Sequence, residues 1–176
     1  MAVERMTVVS ALMLICLSAG CHATCPTHCT CATSAHSLNN ADTDSHRGIA
    51  VKCSDAELTS VPSELPTNAA ELDVSGNRLE VLDSASLPHT GVHQLSVANF
   101  SRNRIMTIAT ESFSRWSKLV SLDLSANRLP SIDHGTFRGA PQTSLQSLDL
   151  SGNRLTDVDG GFSGMTNLFR LVTSLQ

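Results

Sequence analysis

Tyrosine does not occur in this 176-residue chain, and aromatic residues together reach only 3%. Base-stacking surfaces need aromatic faces, so single-stranded nucleic acid is a poor partner. Charge is scarce as well, at 16% of residues against the roughly 25% usual in soluble domains. The balance of 12 basic to 16 acidic residues, net -4, has the wrong sign for a phosphate-binding surface. No nucleic-acid partner is expected. No cysteine follows Cys53, and no apolar run beyond Leu17 approaches the about 20 residues of a membrane span. The motifs G-x-S-x-G, H-E-x-x-H and the phosphate-binding loop are all missing, so neither an enzyme nor a bound cofactor is expected. With 41% apolar residues the chain is not a disordered acidic tail either. Its apolar content is aliphatic, and it is periodic.

Residues 1–23 read as a secretory signal: Arg5 is the basic start, Val8 to Leu17 the apolar stretch, and Ser18, Ala19 and Gly20 the small residues before cleavage. Cleavage is expected after Gly20 or Ala23. The product is then exported, which puts its cysteines in an oxidising compartment.

Cys16 leaves with the signal, and so does Cys21 if cleavage follows Ala23. Cys25, Cys29, Cys31 and Cys53 remain, an even number that suggests two disulfides in any of three connectivities. His28 sits among them, so zinc is the rival. The Cys-x3-Cys-x-Cys spacing is not that of a paired zinc site, and disulfides are favoured. Asp42, Asp44 and His46 could in principle ligate a metal, but in a Ser/Asn-rich stretch a solvated loop is expected, and no metal site is assigned.

Four segments align in phase: Ala69 to Leu79, Leu95 to Ile105, Leu119 to Leu129 and Leu145 to Leu155. Each fits L-x-x-L-x-L-x-x-N-x-L, and the starts 69, 95, 119 and 145 are separated by 26, 24 and 26 residues. Leu168 and Leu171 open a partial fifth unit at 168–176. Downstream of each motif, Leu82, Ile108, Ile132 and Val158 recur, followed by Leu87, Phe113, Phe137 and Phe162. The L-x-L pair alternates with polar neighbours, so each unit predicts a short strand with one buried face. Asn77, Asn103, Asn127 and Asn153 fall where the strand turns away, and an amide there can bond backbone groups of the adjacent turn. One unit cannot bury its own apolar face. Neighbours must therefore stack into a parallel solenoid.

These residues resemble the extracellular leucine-rich-repeat family with its cysteine-rich N-terminal cap. Cys25-Pro26, Cys29, Cys31, Val51-Lys52-Cys53, Leu58, Val61-Pro62 and Leu65-Pro66 look like that cap, and the resemblance covers residues 25 to about 171. It implies an α/β-type horseshoe with a parallel concave sheet, a cap over 24–68, and repeats over 69–167. It also implies the pairings Cys25–Cys31 and Cys29–Cys53. The separation of Cys31 from Cys53 exceeds the family's common spacing, and residues 32–46 are read as an inserted exposed loop. No C-terminal cysteine cap is seen, so the chain is expected to be a fragment of a longer receptor or a short form. In a short form the open end could dimerise.

The outward strand positions are Glu71, Asp73 and Ser75, then Val97, Asn99 and Ser101, then Ser121, Asp123 and Ser125, then Ser147, Asp149 and Ser151. Glu71, Asp73, Val97, Asn99, Ser121, Asp123, Ser147 and Asp149 are the candidate ligand-binding residues. The aspartate column, interrupted by Asn99, could attract a basic protein. Arg78, Arg104, Arg128 and Arg154 form a second column, expected to cross-pair with the aspartates or to serve an anionic glycan against the opposition of nearby carboxylates. Asn99-Phe100-Ser101 is the chain's single N-glycosylation sequon. The expected role is non-catalytic binding of an extracellular or cell-surface protein. The alternative is a small secreted matrix or proteoglycan-like protein that binds fibres or glycans.

Overall fold

A computed structural model describes residues 25–34, 48–158 and 160–174. The expected signal segment lies outside them, as do Asp42, Asp44 and His46. The chain begins with an antiparallel pair, β1 (Thr30–Thr33) and β2 (Ile49–Lys52), in which Cys31 faces Val51. From β2 onward every strand added is parallel: β3 (Ala69–Asp73), β5 (Val97–Asn99), β7 (Ser121–Asp123), β8 (Ser147–Asp149) and β9 (Arg170–Val172). The seven strands form one sheet, and its parallel part is the expected solenoid face. On the far side, β4 (Val81–Leu82) pairs in parallel with β6 (Thr107–Ile108). Among the described residues helix is confined to a single α-turn, α1 (Pro141–Ser144), and a 3-10 turn at Val92–Gln94.

The repeat strands form because their period is two. In β5, β7 and β8 a buried residue (Ala98, Leu122 or Leu148) stands between two half-buried ones, so one face is core and the other is open. The register is strict: Leu72, Ala98, Leu122, Leu148 and Leu171 lie opposite one another strand by strand. A slip of one residue would send the buried Leu72, Ala98, Leu122 and Leu148 into solvent, which fixes the alignment.

The core continues behind the sheet as a ladder of rings. Phe113, Phe137 and Phe162 stack with centroids 6.1 and 6.4 Å apart. Trp116, fully buried, packs edge-on to Phe113 at 5.3 Å and over Phe100 at 6.1 Å. The motif assigned Trp116 no place, because the other repeats have no counterpart to it.

Two disulfides close the cap, Cys25–Cys31 and Cys29–Cys53, with Cα separations of 5.9 and 4.3 Å. Strand β2 pairs with β3, so the cap covers the sheet edge that the first repeat would otherwise expose. The expected exposed loop does not start at Ala32. Ala32 and Thr33 complete β1, and Ser34 is buried, because pairing with Ile49 and Ala50 extends the hairpin past Cys31. Residues 35–46 of the insertion lie outside the described residues.

Candidate functional site

The sheet register arranges the outward side chains in two rows. Glu71, Val97, Ser121, Ser147 and Arg170 form one; Lys52, Asp73, Asn99, Asp123 and Asp149 form the other. The row members of the four full repeats are half-buried, as expected for side chains on an open face between neighbouring strands, and Arg170 is exposed.

The second row is not a line of unengaged carboxylates. In each repeat, Oδ1 accepts the backbone N–H two residues on: Asp73 from Ser75 at 3.0 Å, Asn99 from Ser101 at 2.9 Å, Asp123 from Ser125 at 2.8 Å and Asp149 from Ser151 at 2.9 Å. Each is an Asx-turn that ends its strand. The recurring D-x-S spelling was the signal for it. One acceptor oxygen of each residue is thereby committed to the fold. Glu71 is tied differently, by a hydrogen bond from the Ser34 hydroxyl of the cap. Nothing in the spacing indicated that contact, since the two residues lie far apart in the chain.

The serines that close these turns do not all face outward as expected. Ser75 and Ser101 are buried, at 3% and 8% exposure, whereas Ser125 and Ser151 in the same Asx-turn are half-buried. Their N–H groups are used by the row residues, and the carbonyls of Ser75 and Ser101 accept from Asp55 and Gly76 of the preceding turns.

The next residue in each turn is left-handed: Gly76 (φ 67), Arg102 (φ 56), Ala126 (φ 52) and Gly152 (φ 66). Only two of the four are glycine. Asp55 occupies the same place in the cap, and a Cβ on Gly76 would collide with its carboxylate. That carboxylate reaches over Gly76 towards Arg102, 3.7 Å away.

Asparagines follow in a buried ladder. Asn103 Nδ2 donates to the carbonyls of Val74, Phe100 and Ser101, while its Oδ1 accepts the N–H of Leu79. Asn77, Asn127 and Asn153 repeat this arrangement, and Asn77 reaches the Cys53 carbonyl of the cap at 2.8 Å. Every amide thus joins its own turn to the one before it.

Arginines occupy the next positions, and there the expected pairing with the aspartates does not occur. Arg78 pairs with Glu57 at 2.8 Å; among the described residues Arg104, Arg128 and Arg154 form no ion pair. The intervening asparagine turns the chain off the sheet, which places the arginines on the flank, away from the concave rows. Among the described residues no helix is long and apolar enough to cross a membrane.

Residues 67–129 and 117–172 match the leucine rich repeat family, which accounts for more than half of the chain. The chain is 35% identical to Tsukushi of Mus musculus over 102 residues, covering 58% of this chain and 29% of that protein. Tsukushi-A of Xenopus laevis is 36% identical over 95 residues, covering 54% and 27%. Leucine-rich repeat-containing protein 3B of Homo sapiens is 31% identical over 130 residues, covering 72% and 43%. The chain therefore spans less than half the length of each of these relatives.

Proposed function

Since the chain belongs to the leucine-rich-repeat family, in an extracellular form with a disulfide-closed N-terminal cap, we propose that its concave face is a non-catalytic binding surface for a basic segment of an extracellular protein. The observation that carries this reading is the second row. Asp73, Asp123 and Asp149 each commit one oxygen to their own turn, which leaves the second carboxylate oxygen outside that bond on a half-buried face. Asp123 and Asp149 are register partners on adjacent strands, about 4.8 Å apart along the sheet. Two carboxylates at that spacing repel, and a bound Lys or Arg side chain relieves the repulsion. The neutral stretch of Val97, Ser121 and Ser147 beside them offers contact area, bounded by Glu71 at one end and Arg170 at the other.

Asn99 stands in the middle of this face. Its Oδ1 is held by Ser101, which leaves Nδ2, the atom a glycan attaches to, outside that bond. A sugar there divides the face and shifts a partner towards Asp123 and Asp149.

The test uses Asp→Asn substitutions, because Asn99 shows that asparagine supports the same turn. The triple variant Asp73→Asn, Asp123→Asn, Asp149→Asn, produced without N-glycosylation because each change creates an N-x-S sequon, is expected to keep its unfolding midpoint and lose at least about tenfold affinity for a lysine-rich peptide probe. Asp133→Asn, off this face, is the control. Equal affinity in the triple variant and wild type removes the acidic row from the binding site.

A further inference from the structure

We propose that the flank bearing Arg104, Arg128 and Arg154 is a second binding surface, for a linear sulfated polysaccharide. The backbone sets the spacing. Arg104 N–H donates to the Leu79 carbonyl, Arg128 N–H to Ile105 and Arg154 N–H to Leu129, each acceptor being the residue that follows the arginine of the previous turn. Successive arginines therefore leave the chain one turn apart, about 4.8 Å where backbones are hydrogen-bonded side by side. All of them are exposed. Arg78 and Arg104 also line one groove of about 430 Å³ with Thr59, Glu80, Val81 and Ser86, so at the cap end of the strip neighbouring arginine side chains face a common space.

Charge decides which part of the strip is available. Arg78 is bound to Glu57, whereas Arg104, in the same groove with Glu80, forms no ion pair among the described residues. The residues two positions beyond Arg104, Arg128 and Arg154 are uncharged: Met106, Pro130 and Thr156. The three carry like charges at short spacing with no ion-pair partner among the described residues. Glu80 lines the groove beside Arg104, whereas the carboxylates of Asp123 and Asp149 lie on the concave face, bonded to their own turns. A guanidinium presents a planar fork of donors that matches an oxyanion such as sulfate. A polymer with regularly repeated sulfates matches a regularly repeated row of such forks, and the extracellular setting is where such polymers are met.

The probe is a heparin octasaccharide titrated into the full chain at low and at physiological salt. Binding is expected to weaken with salt, and the variant Arg104→Gln, Arg128→Gln, Arg154→Gln should lose at least about tenfold affinity and lower the salt slope by about two to three. Its unfolding midpoint should stay at the wild-type value, which separates lost charge from lost fold. Desulfated octasaccharide should not bind, and the triple aspartate variant should bind heparin at least as tightly as wild type. No binding at low salt, equal binding of the desulfated chain, or a loss smaller than tenfold in the arginine variant each overturns the proposal. Because the arginine and aspartate variants touch different faces, either surface can fail without the other.

Discussion

Asn127 holds the carbonyl of Phe100, one repeat earlier, through its side-chain amide at 3.0 Å. The same side chain accepts the N–H of Ile105 at 3.0 Å and donates to Leu124 at 3.0 Å. These backbone groups are buried and have no water to fall back on, so the amide is the joint between turns.

Replacing Asn127 with alanine strands several of them. Each buried group left unpaired costs about 1–3 kcal/mol, so the expected loss is about 3 kcal/mol or more. Asn127→Asp should be at least as harmful, because a carboxylate can accept but cannot donate to the carbonyls of Phe100 and Leu124. Urea unfolding of both variants checks the order. A loss below about 1 kcal/mol would show that the turns hold together without the ladder.

The left-handed position gives a prediction of opposite sign. Ala126 sits at φ 52, where an L-residue carries about 1–2 kcal/mol of strain. Ala126→Gly relieves it but adds about 0.5–1 kcal/mol of unfolded-chain entropy, so a net gain of up to about 1.5 kcal/mol is expected. Ala126→Val should destabilise. Thermal midpoints should rank glycine above alanine above valine.

Thr136 is buried at 1% exposure, and among the described residues its hydroxyl has no hydrogen-bond partner. The corresponding hydroxyl in the preceding repeat, on Ser112, donates to Leu82 and Ala109. Thr136→Val keeps the shape and removes the unpaired polar atom, so it should be neutral or stabilising by about 1 kcal/mol. Ser112→Ala should destabilise, since it removes a bonded hydroxyl. Parallel denaturation curves distinguish the two sites.

Asp83 supplies a dependence on pH. The Ser86 backbone N–H, then the Ser86 hydroxyl and the Ala85 N–H, hold its carboxyl below the ordinary carboxylate value. A depressed folded-state pKa stabilises above the unfolded value, about 3.9, and that contribution disappears as pH falls through the folded value. Asp83→Ala should therefore be less stable than wild type at neutral pH, with the gap closing in acid. A gap that stays constant down to pH about 2 would mean the bonded charge contributes nothing.

By itself the sequence determined the repeat. Leucines at a fixed period, an asparagine at the end of each strand and four cysteines before the first full unit specify a capped parallel stack, because no single unit can bury its own apolar face. The concave rows were readable for the same reason, since alternation fixes which side chains leave the core. Tertiary structure decided what those side chains are free to do. The Asx-turns bind one oxygen of Asp73, Asp123 and Asp149, and Ser75 and Ser101 are buried. The asparagine turn carries the arginines off the sheet, so columns adjacent in the sequence do not meet. Ser34 reaches Glu71, and the Asp55 carboxylate lies over Gly76, only because stacking brings distant turns into contact. Such contacts depend on the spacing between turns, which chain order does not encode for any single residue.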